Sequence, residues 1–182
     1  MITFLKKRSY DIVVMYITQI AISIFGLALA FAVPTGQPQL NVMASVVAII
    51  FYLFLTYTKL WELGYKDSNA FAKGTAKLSR IEGLYMGLCA SVLNFLLAIF
   101  IIIGGISENG VMDAIAGGAA TASLLTEGMY TGLLSVKVGG VALNSVGIMY
   151  LVITLPMIIA ATLGYLAGIY DFKIFGGSKK TK

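Results

Sequence analysis

Histidine is absent from this chain of 182 residues, and cysteine occurs once. Without histidine there is neither the commonest metal ligand nor the commonest general base. A Ser–His or Cys–His nucleophile pair and the helix-borne zinc motif of metalloproteases are excluded with it. The lone Cys89 leaves no disulfide framework. Charge is scarce as well: Asp, Glu, Lys and Arg make up 12% of the chain, against about a quarter in a soluble domain. None of them falls deep within any long apolar run, which argues against a pump or a proton-coupled carrier. No buried Asp pair exists for an intramembrane aspartyl protease, because Asp67, Asp113 and Glu127 are scattered over opposite membrane faces. Gly74-Thr75 lacks the glycine spacing and the Lys-Ser/Thr pair of a phosphate-binding loop. The sequence therefore reads as non-enzymatic, with no catalytic residue, no cofactor and no metal site.

What is present is apolar. Hydrophobic residues reach 59%, mean hydropathy is +0.91, and the apolar residues come in runs long enough for a bilayer. The reading is an all-α integral membrane four-helix bundle, a single membrane domain over 1–182. Its spans fall at about 11–33, 41–60, 80–106 and 144–170. A basic start, an apolar run and Ala28-Leu29-Ala30 imitate a signal peptide, but the run from 12 to 33 exceeds a signal core and is expected to stay as the first helix. Ser9 caps that helix, with Asp11 at its positive end. Pro34 and Pro38 stop it and turn the chain into an antiparallel hairpin. Asn41 caps the second span and Gly64 ends it. Ser79-Arg80-Ile81-Glu82 is a capping-box pattern before the third, which ends at Gly104-Gly105. Pro156 bends the fourth, with Thr154 placed to satisfy the freed backbone groups.

Twelve of the 13 Lys and Arg residues fall on one side of this arrangement. They are Lys6, Lys7, Arg8, Lys59, Lys66, Lys73, Lys77, Arg80, Lys173, Lys179, Lys180 and Lys182; only Lys137 lies opposite. The positive-inside rule then puts both termini in the cytoplasm of a multi-pass plasma-membrane protein. Tyr10, Tyr57, Trp61, Tyr65, Tyr85 and Tyr170 gather at the same boundary, where amphipathic rings prefer to sit. The net charge of +5 is what anionic lipid at the inner face attracts. Nucleic acid is not expected as a partner, because no basic soluble domain exists to bind it.

Residues 107–143 form the outer segment. Val111, Ile115, Ala119, Ala122, Leu125, Met129 and Leu133 recur at near-helical spacing, while Asp113, Thr121 and Glu127 lie off that stripe. This predicts amphipathic helices on the outer membrane face, with a re-entrant loop as the alternative. A fifth span is disfavoured by Asp113 and Glu127 and by the side on which it would leave the Lys-rich tail.

Two ladders of small residues, Gly83-Gly87-Ser91 and Ala160-Gly164-Gly168, predict close helix packing, between themselves or across a homo-oligomer or membrane-protein partner. Asn94, near the middle of the third span, should face the bundle interior and bond another helix, with Gln19 and Ser23 as candidate partners. The inner loop, 61–79, carries turn and cap chemistry at Lys66-Asp67-Ser68-Asn69. Residues 71–80 are expected to form a surface helix whose Lys73, Lys77 and Arg80 meet anionic head groups or an acidic partner. Here the chain resembles a group of uncharacterised small multi-pass membrane proteins of low-GC Gram-positive bacteria. They carry a Trp-x-x-Gly-x-Lys-Asp-x-Asn connection, seen in this chain as Trp61, Gly64, Lys66, Asp67 and Asn69. The resemblance covers that loop and the start of span three. It implies a bacterial plasma membrane and no activity. By elimination the sequence favours an accessory or interaction subunit of a larger membrane assembly, with an oligomeric transporter or channel subunit as the alternative.

Overall fold

Polar and small side chains share the inside of this bundle with tyrosines, methionines and a few aliphatics, and most large aliphatic ones cover the outside. In a computed structural model describing residues 2–34, 36–75, 77–107 and 110–172, the buried stripe of the first helix, α1 (Ile2–Ala32), is Arg8, Met15, Gln19, Ser23 and Gly26. Val13, Ile17, Ile24 and Phe25 of the same helix point outward. A lipid tail is as apolar as a leucine, so burying leucine against another helix gains little. Polar groups, by contrast, must find partners inside.

Four helical segments are long and apolar enough to cross a membrane: Phe4–Ala32, Pro38–Ala72, Glu82–Ile106 and Ile148–Ile169. The chain is an all-α membrane bundle of antiparallel neighbours. The second helix, α2 (Pro38–Ala72), has Pro38 in its first turn and runs for 35 residues, past both expected ends. Asn41 lies within it rather than capping it. Gly64 is helical too, pressed against the backbone of Tyr165 where a Cβ would overlap the carbonyl. The helix ends instead in a Schellman turn: Thr75 N donates to Ala70 O at 3.0 Å and Gly74 N to Phe71 O at 2.9 Å, with Gly74 at φ +69°. Among the described residues the expected surface helix over 71–80 does not form: Gly74 halts α2, and residues 77–81 are coil and turn.

The third helix, α3 (Glu82–Ile106), opens without a side-chain cap, since the Glu82 carboxylate is engaged by Arg8 instead of completing a capping box. It passes through Gly104, which packs on Ala116. Ser9 likewise lies inside α1, which starts earlier than expected, and Asp11 pairs with Lys59 at 3.6 Å. The last span is broken into α6 (Ile148–Val152) and α7 (Leu155–Ile169) at Thr154 and Pro156.

Between them the outer segment does not lie flat. Helix α4 (Gly110–Glu127) packs on α3 and α1. It delivers Thr126 to Gln19 and Ser23, which sit at the middle of α1. A 3₁₀ turn at Gly128–Tyr130 and the short α5 (Thr131–Leu134) then lead back along α2 towards Ser45 and Asn41. The segment folds back into the bundle. The predicted stripe is split: Val111, Ile115 and Leu125 face outward, while Ala119 and Met129 face in, joined there by Ser123, Thr126 and the off-stripe Glu127. A two-stranded ribbon, β1 (Lys137–Val138) with β2 (Val141–Ala142), follows. Gly139 and Gly140 take φ of +61° and +85° in its turn, the backbone a tight hairpin requires. The lysines at 173, 179, 180 and 182 lie outside the described residues.

Candidate functional site

Two C-terminal helix ends meet in the core of the bundle. Helix α4 stops at Glu127, leaving its last carbonyls without intrahelical donors. Gln19 Nε2 and Ser23 Oγ of α1 supply them, at 2.9 and 2.7 Å from Thr126 O. Helix α6 stops because Pro156 has no N–H to offer and Thr154 N turns to Leu151 O at 3.3 Å. Thr154 Oγ1 then lies 2.9 Å from Tyr150 O and 2.8 Å from Glu127 Oε1. Glycine makes the approach possible. A Cβ on Gly26 would meet Met129, one on Gly128 would meet Leu27 and the Ser23 carbonyl, and one on Gly132 would overlap Asn41.

Glu127 is 4% exposed. Among the described residues no Lys or Arg pairs with it. Tyr52, Tyr130 and Tyr150 lie within its electrostatic reach. Several buried atoms nearby have no hydrogen-bond partner: Gln19 Oε1, Tyr130 Oη and Tyr52 Oη, which faces Thr56 without reaching good geometry. Asn94 is buried as expected, but its Oδ1 is also unpartnered. Its expected partners, Gln19 and Ser23, are both spent on Thr126. The α3–α7 register, with Ser91 Oγ 3.3 Å from Met157 Sδ and Gly147 against Ile102, puts Asn94 level with Thr154. The bundle therefore has a polar layer at mid-height whose buried oxygens are incompletely paired. Among the described residues no Asp, Glu, Lys or Arg lies deep within a span, but Glu127, outside every span in sequence, is folded into the interior. A signal existed: Ala116, Ala119, Ala120, Ser123 and Glu127 lie on one small, polar face of α4.

The basic end is closed by a second cluster. Arg8 donates from Nε and Nη2 to Glu82 Oε2 at 2.9 and 2.7 Å, and from Nη2 to Asp67 Oδ2. Tyr165 Oη donates to the same Asp67 oxygen at 2.8 Å, and Lys7 Nζ lies 3.5 Å from Glu82 Oε1. Four helices are tied in one network. Asp67 is thus committed inside the protein, not offered to a partner. Trp61 stacks on Tyr65 at 5.5 Å and donates to Phe172 O at 2.7 Å. Lys66 pairs with Glu62 one turn earlier, at 2.6 Å. Asn69, Lys73, Lys77 and Arg80 are exposed, with Arg80 5.9 Å from the Tyr170 ring centroid.

The two small-residue ladders do not meet. Gly83, Gly87 and Ser91 face Tyr165, Ala161, Ile158 and Met157 of α7, whereas Gly164 and Gly168 use the other side of α7 against Tyr57, Trp61 and Tyr65 of α2. Ala160 is half-buried beside the fully buried Ala161.

Comparison with family models, with curated proteins and with solved structures finds no match for this chain.

Proposed function

We propose that this chain is a small membrane transport protein, or the conducting subunit of one, and that the Glu127 layer is its working site. One observation carries the reading: a helical hairpin folded back into the bundle buries a carboxyl that no cation pairs with among the described residues, against a break in the fourth span. Ionisable groups at such depth are costly and belong to ligand or ion pathways, and broken helices with exposed carbonyls build binding sites in transporters. Open clefts approach the layer from both ends. One of about 370 Å³ between α1 and α2 is lined by Met15, Thr18, Thr56, Lys59 and Glu62; Met15 and Thr56 are each one turn from layer residues. Another, of about 510 Å³, lies between α3, α4 and the start of α6, lined by Ile102, Gly104, Asp113, Ala116 and Gly147. The reading is non-catalytic.

The test is water access. In a Cys89→Ser background, Ser23→Cys and Thr154→Cys should react with a small charged methanethiosulfonate, whereas Ala98→Cys, in the apolar interior, should not. No reaction at Ser23 or Thr154 in protein that remains folded would mean a sealed core. That outcome would return the accessory-subunit reading to the lead, with the exposed basic patch of Lys73, Lys77 and Arg80 as its docking face.

For orientation we place the basic end in the cytoplasm, on the lysine and arginine distribution, and take the membrane to be a bacterial plasma membrane on the loop resemblance. In intact cells carrying Cys89→Ser, a Cys at Lys137 should be labelled by an impermeant thiol reagent and one at Lys73 should not; the reverse pattern would invert the topology.

A further inference from the structure

We propose that the Glu127 layer binds a small monovalent metal cation of the sodium class. The inference names the ligand of the site proposed above and rests on that reading. Four features of the layer point the same way.

The first is the direction of its dipoles. Helix α4 ends at Glu127, so the partial negative charge of an 18-residue helix is aimed into the layer. Helix α6 ends beside it and adds freed carbonyls. The C-terminus of α6 and the N-terminus of α7 meet at Thr154 and offset one another, so the end of α4 and the carboxylate set the sign; among the described residues no Lys or Arg compensates them, and a positive ligand is selected.

The second is the crowding of two acceptors at one hydroxyl. The Thr154 hydroxyl has one hydrogen and two acceptors within reach, Glu127 Oε1 and Tyr150 O. When it serves one, the other is left facing lone pairs. One positive charge beside the carboxylate resolves both.

The third is the identity of the free atoms. Gln19 Oε1, Tyr52 Oη, Asn94 Oδ1 and Tyr130 Oη are all buried oxygens without partners. The Gln19 amide is not free to reverse, because its nitrogen is held by Thr126 O. Oxygen-only surroundings suit hard s-block ions and give no advantage to the softer transition metals, which prefer imidazole or thiolate.

The fourth is the charge count. Divalent sites gather several carboxylates; among the described residues no group of three His, Cys, Asp or Glu could hold a metal ion, and Glu127 stands alone in the layer. One formal negative charge with neutral oxygens matches one monovalent cation.

The experiment is thermal unfolding of the full-length purified protein in detergent at constant ionic strength, replacing choline chloride stepwise with NaCl, KCl or LiCl. A bound ion stabilises the folded state by mass action, so Tm should rise saturably with one of these ions and not with choline. Glu127→Gln keeps the size and hydrogen bonding but removes the charge. It should raise the half-saturating concentration on the order of tenfold or more, equivalent to about 1.4 kcal/mol per factor of ten. Asp171→Asn, exposed beyond the end of α7, should leave the response unchanged. Should Glu127→Gln fail to fold, equilibrium binding of radioactive ²²Na⁺ to the wild-type protein, competed by unlabelled sodium or potassium, provides the same decision. Identical Tm in all salts with no displaceable ²²Na⁺ overturns the proposal. So does a Tm that follows pH through Glu127 alone, which would make the ligand a proton. Either result with Ser23→Cys and Thr154→Cys still labelled removes only the cation, whereas unlabelled cysteines remove the transport reading itself.

Discussion

Gly164→Leu and Gly168→Leu should each cost the protein most of its stability, or prevent it from folding. A Cβ at Gly164 would overlap the carbonyl of Tyr57, and one at Gly168 would overlap the carbonyl of Trp61 and crowd Tyr65 N. These are backbone atoms of a continuous helix and cannot swing aside as a side-chain tip can. Overpacking a core typically costs about 1–3 kcal/mol and more where the backbone must move, and α2 and α7 share the longest interface in the bundle. Gly87→Ala should be milder, because its Cβ would stand 3.1 Å from Ile158 Cα and 3.3 Å from Ala161 Cβ, a shortfall of tenths of an ångström. Gly117→Ala, with nothing within 4 Å, should be neutral or stabilising by up to about 1 kcal/mol through helix propensity. Thermal unfolding in one detergent, across the four variants, checks the order. Wild-type stability in Gly164→Leu would mean that α7 does not lie against α2 as described.

The second large effect is expected at Arg8. Its side chain is 5% exposed and holds both Glu82 and Asp67. Arg8→Ala leaves two partly buried carboxylates facing each other, and removing one partner of a buried ion pair costs about 3–5 kcal/mol. Arg8→Lys should recover only part of the loss, since a point charge cannot fork between two carboxylates as a guanidinium does. Arg8→Met combined with Glu82→Gln and Asp67→Asn should be more stable than Arg8→Ala, because the charges left unpaired disappear. If Arg8→Ala unfolds with the wild-type midpoint, or the triple variant is the weakest, the network is not what ties the basic end together. Substitution of the neighbouring Lys6, which is exposed, serves as the control for simple loss of positive charge.

The class of this fold was legible because lipid demands it. Long apolar runs and one-sided lysines follow from hydrocarbon thickness and insertion energetics, and neither depends on how the helices pack. What was not legible depends on tertiary partners. Arg8 reads as a third cation beside Lys6 and Lys7. Only the spacing 8, 15, 19, 23 and 26 puts it on the stripe that α1 buries. Glu82 reads as a capping-box carboxylate, and no local rule weighs a distant arginine against a nearby backbone N–H. Gly64 reads as a helix end because glycine so often is one. Here its missing side chain makes room for Tyr165, while Gly74, ten positions on, provides the left-handed turn. The stripe over 111–133 was read as one side of surface helices; the bundle splits it, turning Val111, Ile115 and Leu125 outward and burying Ala119 and Met129. The polar layer was hidden because Glu127 was judged by its place in the chain and not by the face of α4 it occupies.

The hairpin that carries Glu127 also imposes an order on the making of the molecule. Its contacts to α1 and α2 involve residues synthesised long before it, but Thr154, its partner on the far side, emerges 27 positions later. Until then the carboxyl has α1 on one side and an open flank on the other. The same late segment contributes Tyr165 to the cluster at the opposite end and the glycines on which α2 rests. Residues 110–134 meet α1, α2 and α3 as they leave the ribosome, but the Glu127 flank stays open until Thr154 follows. Both polar clusters are completed by the arrival of the last span.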